Sequence, residues 1–147
     1  GYFMLDGLDS LAAGGRIPPA AAQLSSKLDI KAEFSFDLSG SLSLVGVNRG
    51  RKKALKALVK SFRDNHIADP AMPIAIVSSD AEKDADWLEA AIRKEEGCSD
   101  VPVIRGSVGT AIGSHVGPGM VAIGFWGGNR ADKISLSDRI AKRVRTS

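Results

Sequence analysis

Apolar residues along the chain change their spacing several times, and each spacing predicts an element. Ile30, Ala32, Phe34 and Phe36 alternate with Lys31, Glu33 and Ser35. A period of two puts the first set on one face of a half-buried strand. Asp37-Leu38-Ser39-Gly40 carries turn residues, and Ser41 to Val47 returns as a second strand, so the pair forms a hairpin. From Arg49 to about His66 the period becomes helical, with Leu55, Leu58, Val59 and Phe62 on one side. The apolar run Ile74 to Val77 predicts a strand over Pro73 to Ser78. Ser79 and Glu82 have capping-box spacing, which predicts a helix from there to about Glu96, closed by Gly97. Val101 to Val108 and Met120 to Trp126 read as two further strands.

Ahead of the hairpin, Asp6 to Ala13 reads as a short helix ended by Gly14-Gly15. Pro18-Pro19 opens a second helix that reaches about Leu28. The predicted order is α-α-β-β-α-β-α-β-β. Strand-helix-strand spacing over residues 72–108 implies parallel pairing, whereas the hairpin is antiparallel. The expected fold is therefore a two-layer α/β domain, a mixed sheet with helices on one face.

Composition narrows the function classes. The chain has 147 residues, which suits one domain with its own core. No apolar run approaches the ~20 residues of a membrane span, and the opening residues lack the pattern of a signal peptide. Cys98 is the only cysteine, so no internal disulfide forms, and a reducing, cytoplasmic setting fits. Net charge is +3. The basic excess is concentrated between Arg49 and Arg63 and in a tail from Arg130 to Arg145.

Within the first of these, Arg49, Lys53, Lys56, Lys60 and Arg63 recur at steps of four and three. On a helix they form one stripe, either a solvated face or a dock for an acidic partner or phosphate chain. No aromatic residues interleave with the stripe, which argues against single-stranded nucleic acid.

Gly113-Ser114-His115-Val116-Gly117-Pro118-Gly119 holds one of two histidines in a glycine-proline loop just before a strand. An imidazole there can donate a hydrogen bond or carry a proton near neutral pH, or simply cap backbone groups. Arg16 follows two glycines; its forked guanidinium can take a carboxylate or phosphate, or bond the last carbonyls of the preceding helix. His66 lies on the apolar side of the long helix near its end and reads as structural. No histidine or cysteine pattern has metal-ligand spacing, so neither metal nor cofactor is expected. Gly106 to Gly119 lacks the lysine-serine/threonine ending of a P-loop.

Four stretches resemble, in order and spacing, the C-terminal half of the DegV family of bacterial fatty-acid-binding proteins. They are Leu8-Asp9-Ser10-Leu11 through Gly14-Gly15-Arg16-Ile17, Leu28-Asp29-Ile30-Lys31, Arg49-Gly50-Arg51-Lys52-Lys53-Ala54-Leu55, and Gly113 to Gly119. The resemblance covers roughly residues 4–127. It departs at Ser114 and Val116, where alanine and threonine are frequent in the family.

The resemblance implies a mixed sheet of about six strands in residues 1–128, followed by a basic tail at 129–147. The family's N-terminal domain has no counterpart in this sequence. It also implies a binding protein rather than an enzyme. Such a protein encloses a long-chain fatty acid and presents its carboxylate to a separate ATP-dependent fatty acid kinase, which forms an acyl phosphate. Arg16, Gly117 and His115 then fall at the bound head group, with His115 serving the phosphoryl transfer, and Arg49 on the kinase-docking surface. The residues alone leave open another reading, an enzyme domain using the His115 loop as acid/base on a small phosphorylated substrate.

Overall fold

The computed structural model describes residues 1–36, 39–109 and 116–128. Asp37 and Leu38 of the predicted turn, residues 110–115 with His115 among them, and the basic tail 129–147 lie outside them. The described elements run β1 (Tyr2–Leu5), α1 (Asp9–Ala13), α2 (Pro19–Lys27), β2 (Ile30–Phe36), β3 (Leu42–Arg49) and α3 (Arg51–Asn65). They continue with β4 (Ile74–Ser78), α4 (Glu82–Arg93), β5 (Val103–Ser107) and β6 (Val121–Gly124). Among the described residues the strands form one six-stranded sheet in the order β3-β2-β1-β6-β4-β5. β4 and β5 pair in parallel and every other pair is antiparallel. The mixed α/β expectation holds.

β1 was not predicted, although it sits in the middle of the sheet. Its four residues are too few to show a period. Met4 and Leu5 are both buried, one on each face, which gives a central strand a continuous apolar run.

Met4, Val121, Ile123, Ile74 and Ile76 face α3 and α4 and meet Leu58, Phe62, Leu88 and Ile92 in the main core. α4 follows the rules for a stable helix, with Glu82 and Asp84 in its first turn and Arg93 in its last. Its predicted cap does not form: Ala81 occupies the N-cap without a side-chain bond. The buried Ser78, not Ser79, donates to Glu82 Oε1 at 2.7 Å.

Phe3, Leu5, Ala32, Phe34, Leu44 and Ala122 face the other way. Leu11 of α1 belongs to this second cluster, and Leu8, Ile17, Val108 and Val116 pack against it. Its small centre is measurable. A Cβ on Gly124 would lie 3.8 Å from the Ala75 methyl group, and one on Gly106 would lie 3.6 Å from Val77. Small residues, Ala75, Gly106, Ala122 and Gly124, thus lie between the Phe3–Phe34 stack, centroids 5.7 Å apart, and Ile104, which is 58% exposed. No described helix is long and apolar enough to cross a membrane.

Candidate functional site

Strand directions decide which sequence-predicted residues meet. β2 runs against β1, and β3 runs against β2. β6 runs against both β1 and β4, and β5 runs with β4. β1, β3, β4 and β5 therefore all end at one edge of the sheet, at Leu5, Arg49, Ser78 and Ser107. Open α/β sheets bind ligands outside the carboxyl ends of such strands. The turn into β6, residues 116–120, returns across this edge.

Two glycines in that turn are required by geometry. Gly119 has φ +87°, and a Cβ there would fall 2.7 Å from Asp6 Cβ. Its N–H donates to Ser79 O at 2.6 Å, and Ser79 N–H donates to Met120 O at 2.9 Å. Gly117 has φ +75° and leaves room for Ser10, whose Oγ lies 3.2 Å from where a Cβ would be. Val116 packs into the second apolar cluster. Gly117 thus stands beside α1.

Arg16 stays close to α1: its N–H donates to Leu11 O at 2.8 Å and its Nη1 to Gly14 O at 2.7 Å. This is the carbonyl-bonding alternative, with the rest of the exposed guanidinium facing outward. Arg49 corrects an expectation. It is the last residue of β3, opposite Ile30, and not part of the helix. Gly50, at φ +83°, turns the chain between them, and α3 begins at Arg51. The helical stripe accordingly starts at Lys53. Lys60 pairs with Asp64, and Arg63 pairs with Glu95 at 2.7 Å.

The residue that sequence reading missed is Arg51. Its Nη1 donates to Asp6 Oδ1 at 2.8 Å, its Nη2 to Gly119 O at 2.8 Å, and its Nε to Asp84. Asp6 also faces Lys31 Nζ at 3.3 Å. Burial works against the Lys31 ammonium, but bonds to Asp29 and Asp6 hold its pKa above the usual lysine value. The edge thus carries a chain of alternating charges, Lys31–Asp6–Arg51–Asp84, beside the glycine turn.

His66 is elsewhere, at the C-terminal end of α3. Its ring stacks on Phe62 with centroids 4.3 Å apart, and burial lowers its pKa. Among the described residues no group of His, Cys, Asp and Glu is placed to hold a metal ion.

Comparison with known proteins agrees with this architecture. Residues 1–127 match the family model described as uncharacterised protein, DegV family. A DegV domain-containing protein of Clostridium perfringens is 36% identical over 126 residues. The chain belongs to the DegV family. It covers 43% of that Clostridium relative, which in turn covers 86% of this chain. The crystal structure of a fatty acid binding DegV family protein from Streptococcus agalactiae superposes with TM-score 0.70 at 31% identity. That match spans 87% of this chain and 44% of the other. The Fatty Acid Kinase B3 protein of Streptococcus pneumoniae, loaded with linoleic acid, shares the fold with TM-score 0.71 at 20% identity. Here 84% of this chain and 43% of that one are covered. This DegV-family chain therefore spans less than half the length of the proteins it matches.

Proposed function

We propose that residues 1–128 form one wall and the head-group end of a fatty-acid site, with 129–147 a separate basic tail. The bound carboxylate is presented to a separate ATP-dependent kinase. The observation that carries this reading is the second apolar sheet face, which runs from the aromatic pair and the alanine and glycine positions to a charged edge. An acyl chain needs such a surface: burying a CH₂ contributes about 0.8 kcal/mol, so ~15 methylenes supply on the order of 12 kcal/mol before costs. A carboxylate needs the opposite, a polar and charge-balanced end.

Arg16 and Gly117 serve that end, with the free side of the Arg16 guanidinium available to an anion. His115 serves phosphoryl transfer, since an imidazole can release or gain charge as phosphate arrives. Arg49 docks the kinase. The chain is then a binding component in the cytoplasm and not a complete enzyme. Half of the slot must come from a second surface.

The intact protein that carries this sequence is expected to co-purify with a long-chain fatty acid, detected by native mass spectrometry. Lipid-free protein that also takes up no added oleate would overturn the reading. His115→Ala is expected to keep its fatty acid and to lose about 100-fold in acyl phosphate formation with the kinase. Turnover of a phosphorylated small molecule without any partner would favour an enzyme instead.

A further inference from the structure

Arg51 stands where a helix least favours a cation. α3 has no acidic residue in its first turn, which instead reads Arg51-Lys52-Lys53. These charges face the positive end of the helix dipole. A local rule broken in this way points to a task other than helix stability.

The geometry shows the task. The side chain is 27% exposed, and all three guanidinium nitrogens are used, each on a different segment. Asp6 leads β1 into α1, Asp84 is in the first turn of α4, and Gly119 O belongs to the turn into β6. A planar fork can hold three such partners at fixed angles, whereas an ammonium on a flexible stem cannot. Gly119 is also held from the other side by Ser79 and is closed over by Asp6, so its peptide has a single seat.

We propose that Arg51 is a positioning residue: it fixes the Gly117–Gly119 turn against β1 and α4, and so sets the head-group end of the site. The proposal rests on the fatty-acid reading of this edge. It assigns Arg51 a different task from Arg49, which is exposed and has no ion-pair partner among the described residues.

Arg51→Lys tests the distinction in the intact protein, because it keeps the charge and removes the fork. Oleate binding is expected to stay within about twofold. With the kinase, kcat for acyl phosphate is expected to fall about 100-fold, as for a misplaced reacting group. KM for the lipid-loaded protein should change little. Amide exchange at Gly119 and Ser79 is expected to quicken. Unchanged kcat would mean that charge alone suffices, and unchanged exchange would mean that Arg51 does not hold the turn; either result overturns the proposal.

Should Arg51→Lys fail to fold, Asp84→Asn weakens one anchor at constant size by removing its charge. It is expected to give a smaller loss of kcat with the same faster exchange, and unaltered exchange overturns the proposal there too. If the unmutated protein neither binds oleate nor yields acyl phosphate, the lipid reading fails, and exchange alone decides the positioning role.

Discussion

Replacing Phe62 by alanine is expected to cost about 3–5 kcal/mol of folding stability. The ring is only 1% exposed and sits in the main core between α3 and the sheet. It stacks on His66 and meets Phe125 edge-on, with centroids 5.0 Å apart. Phe125 in turn stacks on Tyr2 at 5.9 Å. Phe62 in the last turn of α3 thus meets the segment after β6, and Phe125 carries the contact on to the first residue of β1. Removal of the Phe62 ring forfeits transfer energy and leaves a cavity among groups that belong to three different elements. Urea unfolding of the chain at fixed pH measures the loss, and a cost below about 1 kcal/mol would contradict this packing. A second readout is independent of stability. Because burial lowers the pKa of His66, loss of the covering ring should bring the imidazole back up toward its usual value, which an NMR titration would follow.

Long periodic segments were the easiest to read from the sequence. The apolar side of α3, Leu55, Leu58, Val59 and Phe62, is buried as its spacing requires. β2 has the predicted bounds. What failed was information held by distant partners. Strict alternation placed Glu33 with Lys31 and Ser35 on a polar face, but α3 covers that part of the face. The β-bulge between Glu33 and Phe34 shifts the register there. Glu33 is consequently buried, while Phe36, predicted to face inward, is 45% exposed. In the site, the glycines at 117 and 119 were legible because positive φ and close approach call for glycine. Arg51 was not: its partners Asp6, Asp84 and Gly119 lie 45, 33 and 68 residues away, and no local pattern encodes such a meeting.

Glu33 makes the second large prediction, a loss of stability as pH rises. Burial pushes its carboxyl up to about 7; the Ser61 hydroxyl, which donates to Oε1 at 2.6 Å, and the charge of Lys60 oppose the shift. In the unfolded chain the same group ionises near 4.5. Between these two values the native state binds the extra proton, so stability falls with rising pH. The contribution is fully present below 4.5 and is lost through about 7, a change on the order of 3 kcal/mol. His66 works in the opposite sense: its lowered pKa makes the native state bind fewer protons below 6.5, so its part of the stability rises with pH there. Glu33→Gln separates the two, because it keeps the size and polarity of the side chain and cannot ionise. The variant should match the unmodified chain near pH 4 and exceed its stability by about 3 kcal/mol at pH 8, by urea unfolding at both values. Its remaining pH dependence should slope upward below 6.5 through His66, and at the acid end also through Glu95, whose pKa the Arg63 hydrogen bonds lower. Parallel stability curves for the two proteins would mean that Glu33 ionises at the same pH in the folded and the unfolded chain, with Ser61 and Lys60 offsetting the cost of burial.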